Sequence, residues 1–316
     1  MLLVLFVFIS LISCFFLANL PGLTLIFAAL WGATLIISAL YLVKKDLIFL
    51  LIINLGVLYF LAGASNLFFY LFFFGIAAIV MSLLVFRNKG YYELQKWGII
   101  SAVMGVSIFL GVIYLTTGNI GINLFEEQLQ TYMAESIDHY EELGILDFYE
   151  KRGIVKAELE EKMYGLASKI AKHLPAFYYL QAILVVFFML LIAVWVSLKR
   201  NILRLKKRPY SQEIMPWQLA WLAIAGLILW LVGRENMSLI YFAGSNILLI
   251  LVPITMYYGL SAITFKFRQR KLQKRKWLIL IIVILCVVFP LSAVIFLSII
   301  GLFDALIDYR KLRIEK

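Results

Sequence analysis

Charged residues are scarce in this 316-residue sequence, since only 15% of them are Asp, Glu, Lys or Arg. A soluble domain needs polar residues over its surface, and its apolar share is typically about 45–50%. Here 64% of the residues are hydrophobic and the mean hydropathy is +0.97. The scarcity of charge therefore excludes an ordinary soluble domain and indicates a protein that is solvated by lipid.

Cysteine and histidine are rare as well, with two of each. Cys14 and Cys286 both lie in apolar runs, so a disulfide framework is not indicated. His139 shares a predicted helix face with Glu135 and Glu142, but a solvated acidic face explains this trio more readily than a metal does. Walker, H-E-x-x-H, G-x-S-x-G and paired CxxC motifs are absent from the sequence. We therefore expect no enzyme, no metal and no cofactor.

Long apolar runs are what the sequence has in abundance. About 20 helical residues cross a bilayer core of roughly 30 Å. The runs are continuous rather than alternating, which favours a helical bundle over a β-barrel. The predicted fold is all-α, a polytopic transmembrane bundle of eight to ten spans with nine as the central value. The runs are Leu2–Ala18, Leu23–Val43, Leu47–Gly63, Leu67–Phe86, Trp97–Thr116, Pro175–Leu198, Trp217–Gly233, Ser238–Phe265 and Trp277–Phe303.

The net charge of +11 is distributed unevenly along the chain. Residues 119–174 carry a net charge of −5, whereas the rest of the chain carries +16 in short clusters between apolar runs. Such clusters are topology signals of cytoplasmic loops, so we expect lipid rather than nucleic acid as the partner. The predicted organisation is a transmembrane segment 1–118, an extracytoplasmic acidic segment 119–174 and a second transmembrane segment 175–316, in a bacterial cytoplasmic membrane.

The basic tail leaves two interpretations open. Nine spans with an internal N-terminus place Arg310 and Lys311 outside, against the positive-inside rule. A reversal at Pro290 within the last run returns the tail to the cytoplasm. Each half of that run would then have only about 13 residues, roughly 20 Å of helix, which is short for an unaided span.

Two stretches of the acidic segment have apolar residues at every third or fourth position, which is typical of amphipathic helices. Such a pair either packs on the bundle as plain structure or caps a pocket. The first stripe is Phe125, Leu129, Met133, Ile137 and Tyr140, and the second is Leu159, Met163, Leu166 and Ile170.

Four polar residues near the C-terminal spans are candidates for ligand binding. Asp304 and Asp308 share a helix face at the spacing i, i+4, and a juxtamembrane ion pair with Arg310 is the alternative to paired acid–base or proton chemistry. Arg234 follows the seventh run and can hold an anionic ligand or be solvated in a loop. Asn246 lies in the eighth run, where a helix–helix hydrogen bond accounts for it without a ligand.

Small residues four positions apart mark faces on which helices approach closely. Packing within the chain and docking of a second protein both use such faces. The three faces are Ala28-x-x-x-Gly32, Ala29-x-x-x-Ala33 and Ser101-x-x-x-Gly105.

Single residues scattered through the C-terminal half carry a resemblance to a known family. They are Leu174-Pro175-Ala176, Pro216, Asn246, Gly259-Leu260, Gly301-Leu302-Phe303-Asp304 and Asp308-Tyr309-Arg310. With the acidic segment after the fifth run, this layout resembles the YybS-like family of bacterial membrane proteins, a domain-of-unknown-function family, over nearly the whole chain.

The resemblance implies a function as well as a layout. That family is grouped with the substrate-binding components of energy-coupling-factor vitamin transporters. It implies a small-molecule binder that docks onto a separate ATP-driven module, with Ala29 and Ala33 similar to the docking face of those components. The extra spans and the acidic segment depart from them. The alternative is a membrane scaffold or assembly factor whose basic loops bind anionic lipids or a cytosolic partner.

Overall fold

The computed structural model describes residues 2–118, 121–146, 156–200, 202, 205–235, 238–268, 284 and 287–312. Throughout these residues the regular structure is helical, which confirms the predicted all-α class. Cys286 lies outside the described residues. The chain forms two compact units, residues 1–207 and 208–316.

Among the described residues, eight α-helices belong to the first unit and three to the second. The first unit contains α1 (Leu2–Asn19), α2 (Thr24–Tyr41), α3 (Lys44–Tyr70), α4 (Ile76–Phe86), α5 (Tyr91–Thr117), α6 (Ile122–Glu142), α7 (Lys156–Ala171) and α8 (Leu174–Lys199). The second contains α9 (Trp217–Val232), α10 (Leu239–Arg268) and α11 (Pro290–Ile307).

Seven helical segments of the described chain are long and apolar enough to cross a membrane. An eighth apolar helix, α9, is shorter. The segments follow the apolar runs of the sequence because lipid-exposed backbone must satisfy its hydrogen bonds internally. The protein is therefore a multi-pass membrane protein of helical type.

One of these segments, Lys44–Phe86, has 43 residues and includes a π-helical turn at Leu71–Gly75. A straight helix of that length would extend about 65 Å, twice the thickness of a bilayer core. Gly63 interrupts it with φ +78°, a conformation that favours glycine. Leu47 and Leu83 line the same cavity of about 110 Å³, so the chain reverses direction between them. The segment thus contains both the third and the fourth predicted runs.

Small residues bring the helices of the first unit into close contact. A Cβ added to Gly105 of α5 would clash with the backbone carbonyl of Phe72, and one added to Gly32 of α2 would clash with Met189 of α8. Ala29 and Ala33 are buried on α2, which packs against α1, α4 and α8. These alanines therefore pack within the chain, and their partner-docking role stays a prediction.

The end of the first unit differs from the predicted division at residue 175. Helix α8 packs against α2 and α5, so it belongs with the N-terminal helices. The compact units divide the chain at residue 207, and the three predicted topology segments stay a prediction.

Helices α6 and α7 form the predicted amphipathic pair. Nζ of Lys156 at the start of α7 makes ion pairs with Glu141 and, at 3.8 Å, with Asp138 of α6. The hydrogen bond to Glu141 raises the pKa of Lys156. Leu166 was predicted on the apolar stripe but is 52% exposed, and Ala167 is buried next to it. The stripe of α7 is thus rotated toward its small residues, which allow the two helices to approach closely.

In the second unit the end of α11 lies beside the basic end of α10. Nζ of Lys266 is 5.3 Å from the centre of the Tyr309 ring, and Arg310 donates a hydrogen bond to Ser261. Pro290 is the first residue of α11. This is the arrangement that the interpretation with a reversal near Pro290 requires, with the tail on the side of the Lys266 cluster.

Candidate ligand site

The second unit is built around a buried guanidinium. Arg310 follows α11, and its Nε and Nη2 donate to the two carboxylate oxygens of Asp304 at 3.0 and 2.5 Å. Nη2 also donates to the carbonyl of Glu213 at 2.6 Å, and Nη1 donates to the carbonyl of Ser211 at 2.7 Å and to Oγ of Ser261 at 3.1 Å. All five N–H groups of a guanidinium find acceptors in this way.

The same network fixes the turn that precedes α9. The hydroxyl of Ser261 on α10 donates to the carbonyls of Tyr210 and Glu213, at 2.6 and 3.0 Å. The phenol of Tyr210 donates to the carbonyl of Tyr257 at 2.8 Å. Burial raises the pKa of the Tyr210 phenol above its usual range, so the phenol stays protonated as a donor. The network therefore joins the turn, α10 and the residues after α11.

This closed network decides what Asp304 and Asp308 do. Arg310 donates to both oxygens of the Asp304 carboxylate, so Asp304 forms the ion pair that the sequence offered as one alternative. Asp308 lies in the left-handed region after α11 (φ +48°) and accepts a hydrogen bond from the backbone N–H of Leu312. A ligand-binding role of the two carboxylates stays a prediction.

The other two predicted ligand residues lie at the opposite end of the second unit from Asp304. Arg234 is exposed after α9, and its guanidinium lies 5.6 Å from the centre of the Trp230 ring. Asn246 is half-buried on α10, two turns after the start of that helix. Among the described residues the four candidates are therefore not gathered into one site.

In the first unit a buried carboxamide has a hydrogen-bond partner at its oxygen but, among the described residues, none at its nitrogen. Asn54 on α3 is fully buried, and its Oδ1 accepts a hydrogen bond from the Cys14 thiol of α1 at 3.5 Å. No acceptor among the described residues meets its Nδ2. A buried donor without an acceptor costs about 1–3 kcal/mol, so such a group needs an explanation.

A second buried donor lies on α2. Trp31 is fully buried, with the edge of its indole ring against Gly75 at the end of the π-helical turn. Its Nε1 likewise has no acceptor in the part of the chain that the structure describes. Trp31 Nε1 and Asn54 Nδ2 are therefore two buried N–H donors without an acceptor among the described residues.

The two donors lie at the same depth in the first unit. Helices α2 and α3 are joined at Leu42 and Val43, and each donor lies eleven residues from that connection. Eleven helical residues rise about 17 Å, close to the middle of a bilayer core. Leu35 and Leu51 line the cavity of about 110 Å³ roughly one turn nearer the connection. The donors and the cavity therefore occupy neighbouring levels of the bundle.

Two buried serines of this unit are satisfied within their own helices. Oγ of Ser82 donates to the carbonyl of Ala78, and Oγ of Ser38 donates to that of Leu35, both at 2.8 Å. Such bonds to the preceding turn are the usual solution for serine in a membrane helix. Asn54 Nδ2 and Trp31 Nε1 have no such local acceptor among the described residues, and acceptor oxygens are the groups that match them.

Neither Asn54 nor Trp31 is among the site residues predicted from the sequence. The signal for Asn54 was available, because a carboxamide inside an apolar run is unusual. The signal for Trp31 was not, since tryptophan is common in membrane helices and its donor becomes notable only through burial.

The family model described as "Predicted membrane protein (DUF2232)" matches residues 4–305, nearly the whole chain. The chain belongs to the DUF2232 family. This confirms the family resemblance found in the sequence. A search of curated proteins and a search of solved structures found no match to this DUF2232 chain.

Proposed function

We propose that this DUF2232 protein binds a small molecule with acceptor oxygens inside its first unit, as the substrate-binding component of a bacterial transport system. The observation that carries the proposal is the pair of fully buried N–H donors, Asn54 Nδ2 and Trp31 Nε1, without acceptors among the described residues. A ligand carbonyl or carboxylate removes the cost of leaving these donors unmet.

The local backbone supports binding at this level. Ligand sites in membrane transporters lie near the bilayer midplane, where helices are discontinuous. Here the segment Lys44–Phe86 contains a π-helical turn that ends against Trp31. Turns of this kind are frequent at functional sites. The transport part of the proposal rests on the resemblance to energy-coupling-factor components alone.

Native mass spectrometry of the tagged protein, purified gently from its own membranes, tests the binding proposal. We expect a reproducible additional mass of small-molecule size on the wild-type protein. The Asn54→Leu variant keeps a similar side-chain volume but removes the donor, so it should lose that mass. Ser38→Ala is the matched control, because it removes a buried hydroxyl that is satisfied within α2 and does not line the neighbouring cavity.

The outcomes separate binding from transport. Loss of the added mass in Asn54→Leu and its retention in Ser38→Ala support the site. An added mass that both variants keep, or a protein that carries none, contradicts it. Co-purified transmembrane and ATPase subunits would support the transport role, whereas their absence from native membranes would leave a binder without that role.

A further inference from the structure

An apolar groove of about 450 Å³ runs between α10 and α11 in the second unit and is open along one side. The α10–α11 groove has Lys266 and Tyr309 at one end. Its walls are Ile263 and Phe267 of α10 and Phe296, Ile299, Ile300 and Phe303 of α11.

The groove follows from how the two helices pack. Their backbones touch at Gly259 and Gly301, where an added Cβ would clash with the carbonyl of Leu297 or Thr255. Larger side chains on either side of this contact hold the helices apart. The four wall residues of α11 have the spacing i, i+3, i+4, i+7, so they form a single helix face about 10 Å long. A face of this kind fits an extended hydrocarbon chain.

The charge at one end of the groove is positive. Lys266 lies in the last turn of α10 with its ammonium near the Tyr309 ring. Among the described residues this ammonium makes no ion pair. Arg268 and Lys311 are exposed at the same end. The charge of Arg310 does not contribute, since Asp304 neutralises it inside the unit. An occupant of the groove therefore meets an ammonium where its apolar part ends.

We propose that the α10–α11 groove binds one anionic phospholipid of the surrounding bilayer. One acyl chain lies against the face from Phe296 to Phe303, and the phosphate lies at Lys266. A basic residue near the membrane surface contributes about fivefold to the binding of an anionic lipid. A zwitterionic lipid places a second cation beside Lys266 and Arg268, so its binding is weaker. This site is independent of the small-molecule site in the first unit.

Native mass spectrometry with defined lipids provides the first test. The full-length protein is delipidated in detergent and titrated with phosphatidylglycerol or with phosphatidylethanolamine of the same acyl chains. We expect one tightly retained phosphatidylglycerol and about fivefold weaker retention in Lys266→Gln. Lys199→Gln is the matched control, because Lys199 also ends an apolar helix and lies over an aromatic ring, that of Trp195.

A substitution in the wall of the α10–α11 groove tests whether the lipid lies in the groove. Ile300→Trp fills it and should lower phosphatidylglycerol retention, whereas Ile228→Phe on the exposed face of α9 should not. A photoreactive residue at position 300 should form an adduct with phosphatidylglycerol in membranes.

Three results would overturn the proposal. The first is equal retention of the two headgroups. The second is unchanged retention in both Lys266→Gln and Ile300→Trp. The third is a cross-link from position 300 to the chain itself, or to another protein, in place of the lipid. Unchanged thermal unfolding of each variant shows that lost retention is not a loss of fold.

Discussion

The two units solve the problem of buried polar groups in opposite ways. In the second unit Arg310, Asp304 and Ser261 share one network in which every guanidinium N–H has an acceptor. In the first unit buried serines such as Ser38 and Ser82 bond within their own helices, and Asn54 and Trp31 keep donors without acceptors among the described residues. The comparison teaches that the second unit is closed by its own network, whereas the unmet donors of the first unit are the basis of the proposed ligand site.

The largest effect is expected from Arg310→Gln. This change leaves the Asp304 carboxylate buried without its cation, and breaking such a pair costs about 3–5 kcal/mol. Thermal unfolding, or proteolysis of the second unit, measures the loss. Lys311→Gln, at an exposed neighbour, should change little. If Arg310→Gln is as stable as Lys311→Gln, the network does not hold the second unit together.

The double variant Asp304→Asn, Arg310→Gln separates the contribution of the ion pair from that of the other bonds of Arg310. It removes both charges, so it should recover part of the stability that Arg310→Gln loses. A double variant no better than the single one would mean that the bonds from Arg310 to the carbonyls of Ser211 and Glu213 carry the effect.

Close packing in the first unit gives the next effect. Gly105→Ala places a Cβ against the backbone carbonyl of Phe72, which should cost about 1–3 kcal/mol. Gly111→Ala on the same helix α5 has open space, and it should be neutral or slightly stabilising. Thermal unfolding in one detergent compares the two. Equal stability of both variants would contradict the close approach of α5 and Phe72.

Asn54→Leu should have a smaller effect of the opposite sign. Without ligand the variant removes an unmet buried donor, so it should be more stable than the wild type by about 1–2 kcal/mol. Unfolding of ligand-free protein measures this difference. Destabilisation instead would show that the carboxamide is a structural bond, with Cys14 as its partner, and would weaken the contrast between the units.

The smallest effect concerns Lys156, because its pair with Glu141 is exposed. The pKa of Lys156 is raised in the folded protein, so the stabilisation of the α6–α7 pair is complete below the ordinary lysine pKa. It is lost as the pH rises through the higher folded value. The protection of α6 and α7 from proteolysis, with the protease rate calibrated at each pH, should therefore decrease above about pH 10.5 in the wild type. Lys156→Gln should remove that decrease, and an equal decrease in the variant would assign it to other groups.

The sequence was sufficient for the fold class because lipid restricts the choice of spanning structures. Continuous apolar runs located the membrane helices, including both halves of Lys44–Phe86, and periodicity located α6 and α7. Periodicity failed at Leu166, because an apolar stripe does not show that a small residue such as Ala167 is buried in its place.

The sites were less accessible to sequence reasoning because they depend on long-range contacts. Asp304 and Arg310 are close along the chain, so their ion pair was foreseen, but the carbonyls of Ser211 and Glu213 come from almost 100 residues earlier. Likewise, the small-residue face of Ala29 and Ala33 is the same in sequence whether a partner or α8 covers it. Burial, which only the folded chain reveals, distinguishes the two.

The position of Arg310 along the chain sets the order in which the second unit is made. Synthesis proceeds from the N-terminus, so Ser211, Glu213 and Ser261 enter the membrane before the arginine that joins them exists. Until α11 has been inserted, the carbonyls before α9 lack their guanidinium donor. The network of the second unit is therefore completed only when Arg310 is in place, and a chain that is stopped before this residue leaves the carbonyls of Ser211 and Glu213 without it.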